Sequence, residues 1–309
     1  GRGGAVLARW IDEGAEWTLD WVDPATYVQD SIEEDWIRRL TVYEYVETVK
    51  ATMGVDISVE GKELLPSDNR ADGFSNTAYN LNVDLGHVNA YATLAGIIVK
   101  RMDVGAFVKR FHKNPKFTDK EMGALIGKMG TWVLRGPLED WEIVAYRGIS
   151  TTVASAGGSI EEAVSLIAEA MLQSPRFIYR IEDRGTGDDV SRFREYEMAS
   201  RLSYLIWGAS PDQALLDAAE ARELRNGETI DFHVRRMLED PRALEQSKRF
   251  AYEWLSLGRM DNLSPNPEKF PNWNPELATQ MREETLAFFE EVVWNQKRPL
   301  SELLNAQLT

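Results

Sequence analysis

The chain contains no cysteine. Within these residues that excludes disulfide staples, a thiolate nucleophile, iron–sulfur ligation and covalent attachment of haem. Histidine is scarce as well. His87, His112 and His233 stand far apart, and none has the i, i+4 partner that a zinc-binding helix uses, so neither a zinc nor a di-iron site is predicted. Long apolar runs are missing: the longest, Ala92 to Val99, falls well short of the roughly 18 residues that a membrane-spanning helix needs. Basic residues are in deficit, with 35 Lys and Arg against 50 Asp and Glu and a formal net charge of −15. Such a field repels phosphate backbones and anionic headgroups, which argues against nucleic acid and membrane surfaces and favours a cationic or neutral partner. No glycine-rich phosphate loop or dinucleotide fingerprint occurs. The sequence begins at Gly1 and carries no signal-peptide pattern, so a processed chain or a fragment is expected.

What remains is ample material for a core. The protein has 309 residues, 43% of them hydrophobic, and length alone predicts about two domains. Start and stop signals then mark out helices. Thr41 with Glu44 makes a capping box ahead of Tyr43, Val46 and Val49, and Gly54 follows the last turn. A second helix is predicted from about Asp84 to Met102. Thr118-Asp119 with Glu121 opens another. Residues 131–158 scatter Trp132, Gly136, Pro137, Trp141 and Gly157-Gly158 among β-branched residues and read as a loop-rich insertion. Ser159 caps a helix whose Ile160, Val164, Ile167 and Met171 form one stripe, ending before Pro175.

The last third is the most regular. Tyr196, Ala199, Leu202 and Ile206 line a helix closed by Gly208. Ser210-Pro211-Asp212-Gln213 starts the next, which Asn226-Gly227 closes. Ile230, Val234, Met237 and Leu238 are predicted to face inward on the following helix. Asp240-Pro241 starts one carrying Leu244, Ala251, Trp254 and Leu255. Asn274-Pro275 begins a long helix with Leu277, Met281, Phe288 and Val292 on one side. Five helices with such short connections predict a bundle.

Several phrases carry a family resemblance. Arg39 to Asp56 (RLTVYEYVETVKATMGVD), the loop Leu65 to Asn76 (LPSDNRADGFSN), Phe107 to Met129, Ser174 to Glu182 (SPRFIYRIE), Ala199 to Asp212 (ASRLSYLIWGASPD), Trp254 to Leu257 and Met281 to Phe289 occur in the order seen in planctomycete-type, cytochrome c-associated multidomain proteins. The sequence resembles their domain-of-unknown-function families 1587, 1595 and 1592, in that order. The segment Val6 to Trp17 is similar to the closing helix of a cytochrome c domain, with a linker after it. The resemblance implies an extracytoplasmic, periplasmic protein, with haem c on a domain outside these residues and none within them.

The expected organisation is therefore mainly α, helical bundle domains joined by long loops with little or no β-sheet. Residues 1–35 form the cytochrome-like tail and linker, 36–103 a small helical domain, 104–158 a short helical segment with the loop-rich insertion, and 159–309 a helical bundle.

Reactive constellations are sparse. Asp68, Arg70 and Asp72 resemble part of a calcium loop, but Arg70 occupies the third place and Tyr79 the twelfth, where carboxylates belong. A loop whose charges satisfy each other is the simpler expectation. As acid–base candidates Asp68 and Asp72 are joined only by Glu182. Arg70, Arg176, Arg180 and Arg201 form the candidate interaction or structural polar cluster, expected to pair internally or to bond helix-end carbonyls. Most of the ten tryptophans are expected in packing. The leading functional expectation is a non-catalytic structural or docking module, an accessory subunit of a larger redox assembly whose partner is a protein or further domains of the same polypeptide. The alternative is an enzyme, either a haem-linked oxidoreductase whose haem domain lies elsewhere or a carbohydrate-active hydrolase or lyase.

Overall fold

Two buried helices organise this molecule, one in each half, and a two-stranded ribbon ties the halves together. The computed structural model describes residues 36–70, 73–77, 81–113, 119–182, 194–299 and 301–305. The expected helix at Val6 to Trp17 and the linker after it lie outside these residues.

Strand β1 (Trp36–Arg39) leads into α1 (Val42–Met53). Thr41 Oγ1 accepts the Glu44 N–H at 3.1 Å and the Glu44 carboxylate accepts the Thr41 N–H at 2.9 Å, the reciprocal cap predicted from sequence. Gly54 ends α1 with φ of 71°, a left-handed value that glycine adopts without steric cost. After α2 (Ser58–Leu64) and the polar loop, Asp84 caps α3 (Leu85–Arg101) and Asp103 caps α4 (Val104–Phe111). Next come α5 (Asp119–Leu134), α6 (Asp140–Ser155) and α7 (Ile160–Leu172). A single turn, α8 (Pro175–Ile178), runs into β2 (Tyr179–Glu182), which pairs antiparallel with β1.

Residues 131–158 are a correction to the loop-rich reading. They complete α5, turn at Gly136-Pro137, and form the whole of α6. Glu139 and Glu142 build a capping box at its start. The hydroxyls of Thr151 and Thr152 bond back to the carbonyls of Arg147 and Gly148, which satisfies these polar β-branched side chains within the helix. Packing against α7 then outweighs weak local propensity. Ala163, Val164, Ile167, Ala168, Met171 and Leu172 are all buried on α7, which touches α3, α4, α5 and α6. Its main packing thus lies with the helices before residue 159, and after it with the single turn α8.

In the second half α9 (Arg194–Trp207) packs on β2 and on α10 (Gln213–Glu220), α11 (Gly227–Leu238) and α12 (Pro241–Trp254). A 3-10 turn (Leu257–Asn262), α13 (Pro275–Glu290), a π-helical turn (Glu291–Asn295) and the short α14 (Glu302–Asn305) follow. Two local readings change here. The cap of α10 is Asp212, which accepts the Leu215 N–H, with Pro211 before it. Asn226 opens α11 by accepting the Glu228 N–H instead of closing α10. Each is decided by which N–H groups the side-chain oxygen meets.

Trp207 is almost fully enclosed and donates its indole N–H to the Met237 carbonyl at 3.0 Å. Burial of such a side chain contributes upwards of about 2 kcal/mol. One contiguous core runs from Leu40 to Ala243. Thr48 on α1 and Tyr204 on α9 share a 2.8 Å hydroxyl hydrogen bond inside it. Three expected core residues sit elsewhere: Leu238, Trp254 and Leu255 are 45%, 46% and 44% exposed. On α13 and the turn after it the buried residues are Ala278, Phe289 and Val292, and Met281 is outside. Leu238 lines a cleft, and Trp254 stacks on Phe250, which lines it too.

Candidate functional site

The cleft, of about 570 Å³, opens where β1, β2 and α1 meet α9 and α12. Its charged lining is four arginines and two glutamates, Glu44 and Glu253. Arg38 and Arg180 stand directly opposite each other in the β1–β2 register, Arg201 comes from α9 and Arg249 from α12. Like charges facing each other across a ribbon repel, so counter-charge must be built in. Glu44 supplies it: its carboxylate lies 2.7 Å from Arg38 Nη2, and both side chains are more than nine-tenths buried. Burial alone would raise the Glu44 pKa, but the guanidinium of Arg38, the Thr41 N–H and the field of Arg180 together hold it below the ordinary glutamate value. Arg180 also lies 5.0 Å over the Tyr204 ring.

The opposite wall is set by Glu253, 5% exposed on α12. It pairs with Arg249 at 3.0 Å and accepts both the Ser75 hydroxyl at 2.6 Å and the Ser75 N–H at 3.2 Å. Arg249 in turn covers the Tyr43 ring at 4.2 Å. Burial, followed by nearby Glu47, pushes the Tyr43 phenol up to about 12, so it stays a neutral hydroxyl throughout the physiological range.

The polar loop at 65–77 is a clasp between the halves. Asp68 accepts Arg39 Nη2 at 2.8 Å and the Val42 N–H at 2.7 Å. It therefore pairs with β1 and the start of α1, correcting the expectation that it is satisfied within the loop. Arg70 lies 5.5 Å over the ring of Tyr252 on α12. Phe74 stacks on Phe250 at 6.0 Å, and Phe250 stacks on Trp254 at 5.9 Å. Asp72 and the side chain of Glu182 lie outside the described residues; the Glu182 backbone pairs with Trp36.

The four arginines singled out from sequence do not gather in one place. Arg180 and Arg201 reach the cleft. Arg70 belongs to the clasp. Arg176, at α8, pairs with Glu142 at 2.6 Å and donates to the Pro137 carbonyl at 2.9 Å, the helix-end role expected of it. Sequence reasoning passed over Arg38, Arg249 and Glu253. The i, i+4 spacing of the last two was a visible signal, whereas nothing local ties Ser75 to a carboxylate 178 residues away. Among the described residues no three His, Asp or Glu side chains converge as metal ligands, and no helix is long and apolar enough to cross a membrane.

Family models match the sequence in three consecutive stretches. Residues 38–104 match PSD3, protein of unknown function (DUF1587). Residues 122–182 match PSD5 (DUF1595), and residues 193–309 match PSD4 (DUF1592). The phrase Ser174 to Glu182 thus falls in the second match and not in the third. Neither the curated proteins nor the solved structures contain a match. The cleft draws on all three stretches: Arg38 from the first, Arg180 from the second, Arg201 and Arg249 from the third.

Proposed function

We propose that this protein, which carries DUF1587, DUF1595 and DUF1592 in succession, works as a non-catalytic docking module whose three domains together form one binding face for a protein partner. The observation that carries this reading is the grouping of exposed apolar side chains around the cleft. Leu205 is 75% exposed, Phe250 51% and Leu238 45%, all lining the cleft, and Trp254, 46% exposed, stacks on Phe250. Scattered apolar residues on a surface mean little, but a contiguous group around a concavity marks a place where another molecule sits. Stacked aromatics are also the side chains that anchor interfaces.

Inside the cleft the carboxylates of Glu44 and Glu253 are committed to Arg38 and Arg249, so they serve as counter-ions rather than as a poised acid and base. Asp68 is likewise bonded to Arg39 and the Val42 N–H. The partner we infer is a protein segment that lays apolar side chains on this rim. An extracytoplasmic setting, with haem c on another domain of the assembly, belongs to the same proposal and follows from the family resemblance.

The test is native mass spectrometry of the protein purified from its own source, wild type beside a Leu205→Asp/Trp254→Asp variant. Both positions are solvent-exposed, so the variant is expected to keep its melting temperature while losing the co-purifying subunit. An unchanged set of partners in a folded variant would refute the docking face.

A further inference from the structure

The outer face of α6 differs in composition from the rest of the surface. We propose that it is a self-association face, on which a second copy of this chain seats its own α6 to form a reversible two-fold dimer.

At about 100° per residue, Trp141, Val144, Ala145, Gly148, Thr152 and Ser155 share one side of the helix. All are exposed, Trp141 by 70% and Val144 by 64%. In a protein whose residues are 28% charged, no exposed residue from Trp141 to Ser155 carries a charge. The hydroxyls are turned inward as well: Thr151, Thr152 and Ser155 donate to the carbonyls of Arg147, Gly148 and Thr151 at 2.8–3.0 Å. The face therefore offers water chiefly methyl groups and one indole, which makes it a contiguous apolar surface and not a scatter of single residues.

Gly148 stands at the centre of this face. A glycine inside a helix destabilises it relative to alanine, yet a side-chain carbon here would meet nothing within 4 Å. Among the described residues no contact calls for a glycine at this position. With Ala145 and Thr152 about a turn to either side, it leaves a shallow recess in which the backbone of another helix can approach closely.

Three properties select a second copy as the occupant. The recess suits a helix whose own side chains are small, and a two-fold axis presents the same recess in return, glycine toward glycine. Two chains of net charge −15 repel each other, so they meet best through a surface free of charge, where an acidic or basic partner finds no counter-charge. Area sets the strength: α6 spans 16 residues, and a contact one helix long buries on the order of 1,000 Å² in total, the small end of specific interfaces. Such a contact gives a reversible dimer, with Trp141 as its aromatic anchor. None of these residues lines the cleft, so the inference is independent of the docking reading.

Sedimentation of the full chain from about 1 to about 300 µM is the test. The wild type is expected to pass from monomer to dimer across that range. Gly148→Ala should raise the melting temperature by about 2 °C while weakening the dimer about tenfold or more. Trp141→Asp, at an exposed position, should keep the melting temperature and lose the dimer. Because the chain has no cysteine, a short bismaleimide spacer joins copies only through an introduced thiol. It should link Thr152→Cys into dimers and leave Gln280→Cys, exposed on α13, unlinked. The Leu205→Asp/Trp254→Asp variant, altered only around the cleft, should dimerise like the wild type. A protein that stays monomeric at every concentration overturns the proposal. So does a dimer that survives both Gly148→Ala and Trp141→Asp, or one that the cleft variant abolishes.

Discussion

Replacing Glu253 by alanine should loosen the join between the first and last domains, and the size of the effect can be worked from the contacts. Glu253 takes two hydrogen bonds from Ser75, hydroxyl and N–H, and one ion pair from Arg249. Hydrogen bonds to a charged acceptor contribute about 1.5–3 kcal/mol each when both partners are buried. The ion pair adds less than about 1 kcal/mol, because the Arg249 side chain is 30% exposed and partly screened. Allowing for water that reaches the Ser75 amide once the carboxylate is gone, Glu253→Ala should cost about 3 kcal/mol. Ser75→Ala removes the hydroxyl, with its bond to Glu253 and the long 3.4 Å bond it accepts from Arg249 Nη2, and should cost about 1.5 kcal/mol. In the double variant the missing hydroxyl no longer matters, so the total should stay near about 3 kcal/mol and the coupling energy should be about 1.5 kcal/mol. Urea unfolding of the four proteins measures the cycle, and amide exchange locates it: the Ser75 N–H should exchange faster in Glu253→Ala and keep its protection in Ser75→Ala. Additive costs, or an unchanged Ser75 exchange rate in Glu253→Ala, would refute the clasp.

Two other residues give independent checks. Arg135 is buried, adopts a φ of 61°, and fans its guanidinium to the carbonyls of Arg176, Phe177 and Tyr179 at 2.7–3.2 Å; a lysine ammonium cannot span that fan, so Arg135→Lys should lower stability by about 2–3 kcal/mol in thermal or urea unfolding. Glu44 has a lower pKa folded than unfolded, so its contribution is complete above the ordinary glutamate value of 4.5 and drains away as the pH falls below it toward the folded pKa. Stability measured from about pH 7 down to about pH 3 should therefore fall less steeply in Glu44→Gln than in the wild type, and parallel curves would contradict the assigned ion pair.

Helix starts were the most legible feature of the sequence. Thr41, Ser159, Asp240 and Asn274 each cap a helix where the sequence predicts one to start, because a cap is an interaction between residues two or three apart. The stripe on α7 was legible for the same reason: its neighbours cover a face that the sequence already marks as apolar. Residues 131–158 misled because their glycines and β-branched residues weaken the local signal that packing against α7 overrides. Leu238, Trp254 and Leu255 misled in the opposite direction, since periodicity identifies an apolar side chain but not whether another helix arrives to bury it.

The sequence by itself determined a helical protein with three recognisable domains in order, because caps, periodicity and phrases are short-range properties. It determined nothing about the pairing of β1 with β2, whose partners are far apart in sequence, Arg38 against Arg180, and whose four-residue strands carry too few side chains to announce their register. That pairing, with the approach of α9 and α12, is what sets Arg38, Arg180, Arg201 and Arg249 around one cleft. Charge is summed over a sequence but felt over a few ångströms, so only the fold could bring four distant arginines together with Glu44 and Glu253 at one cleft.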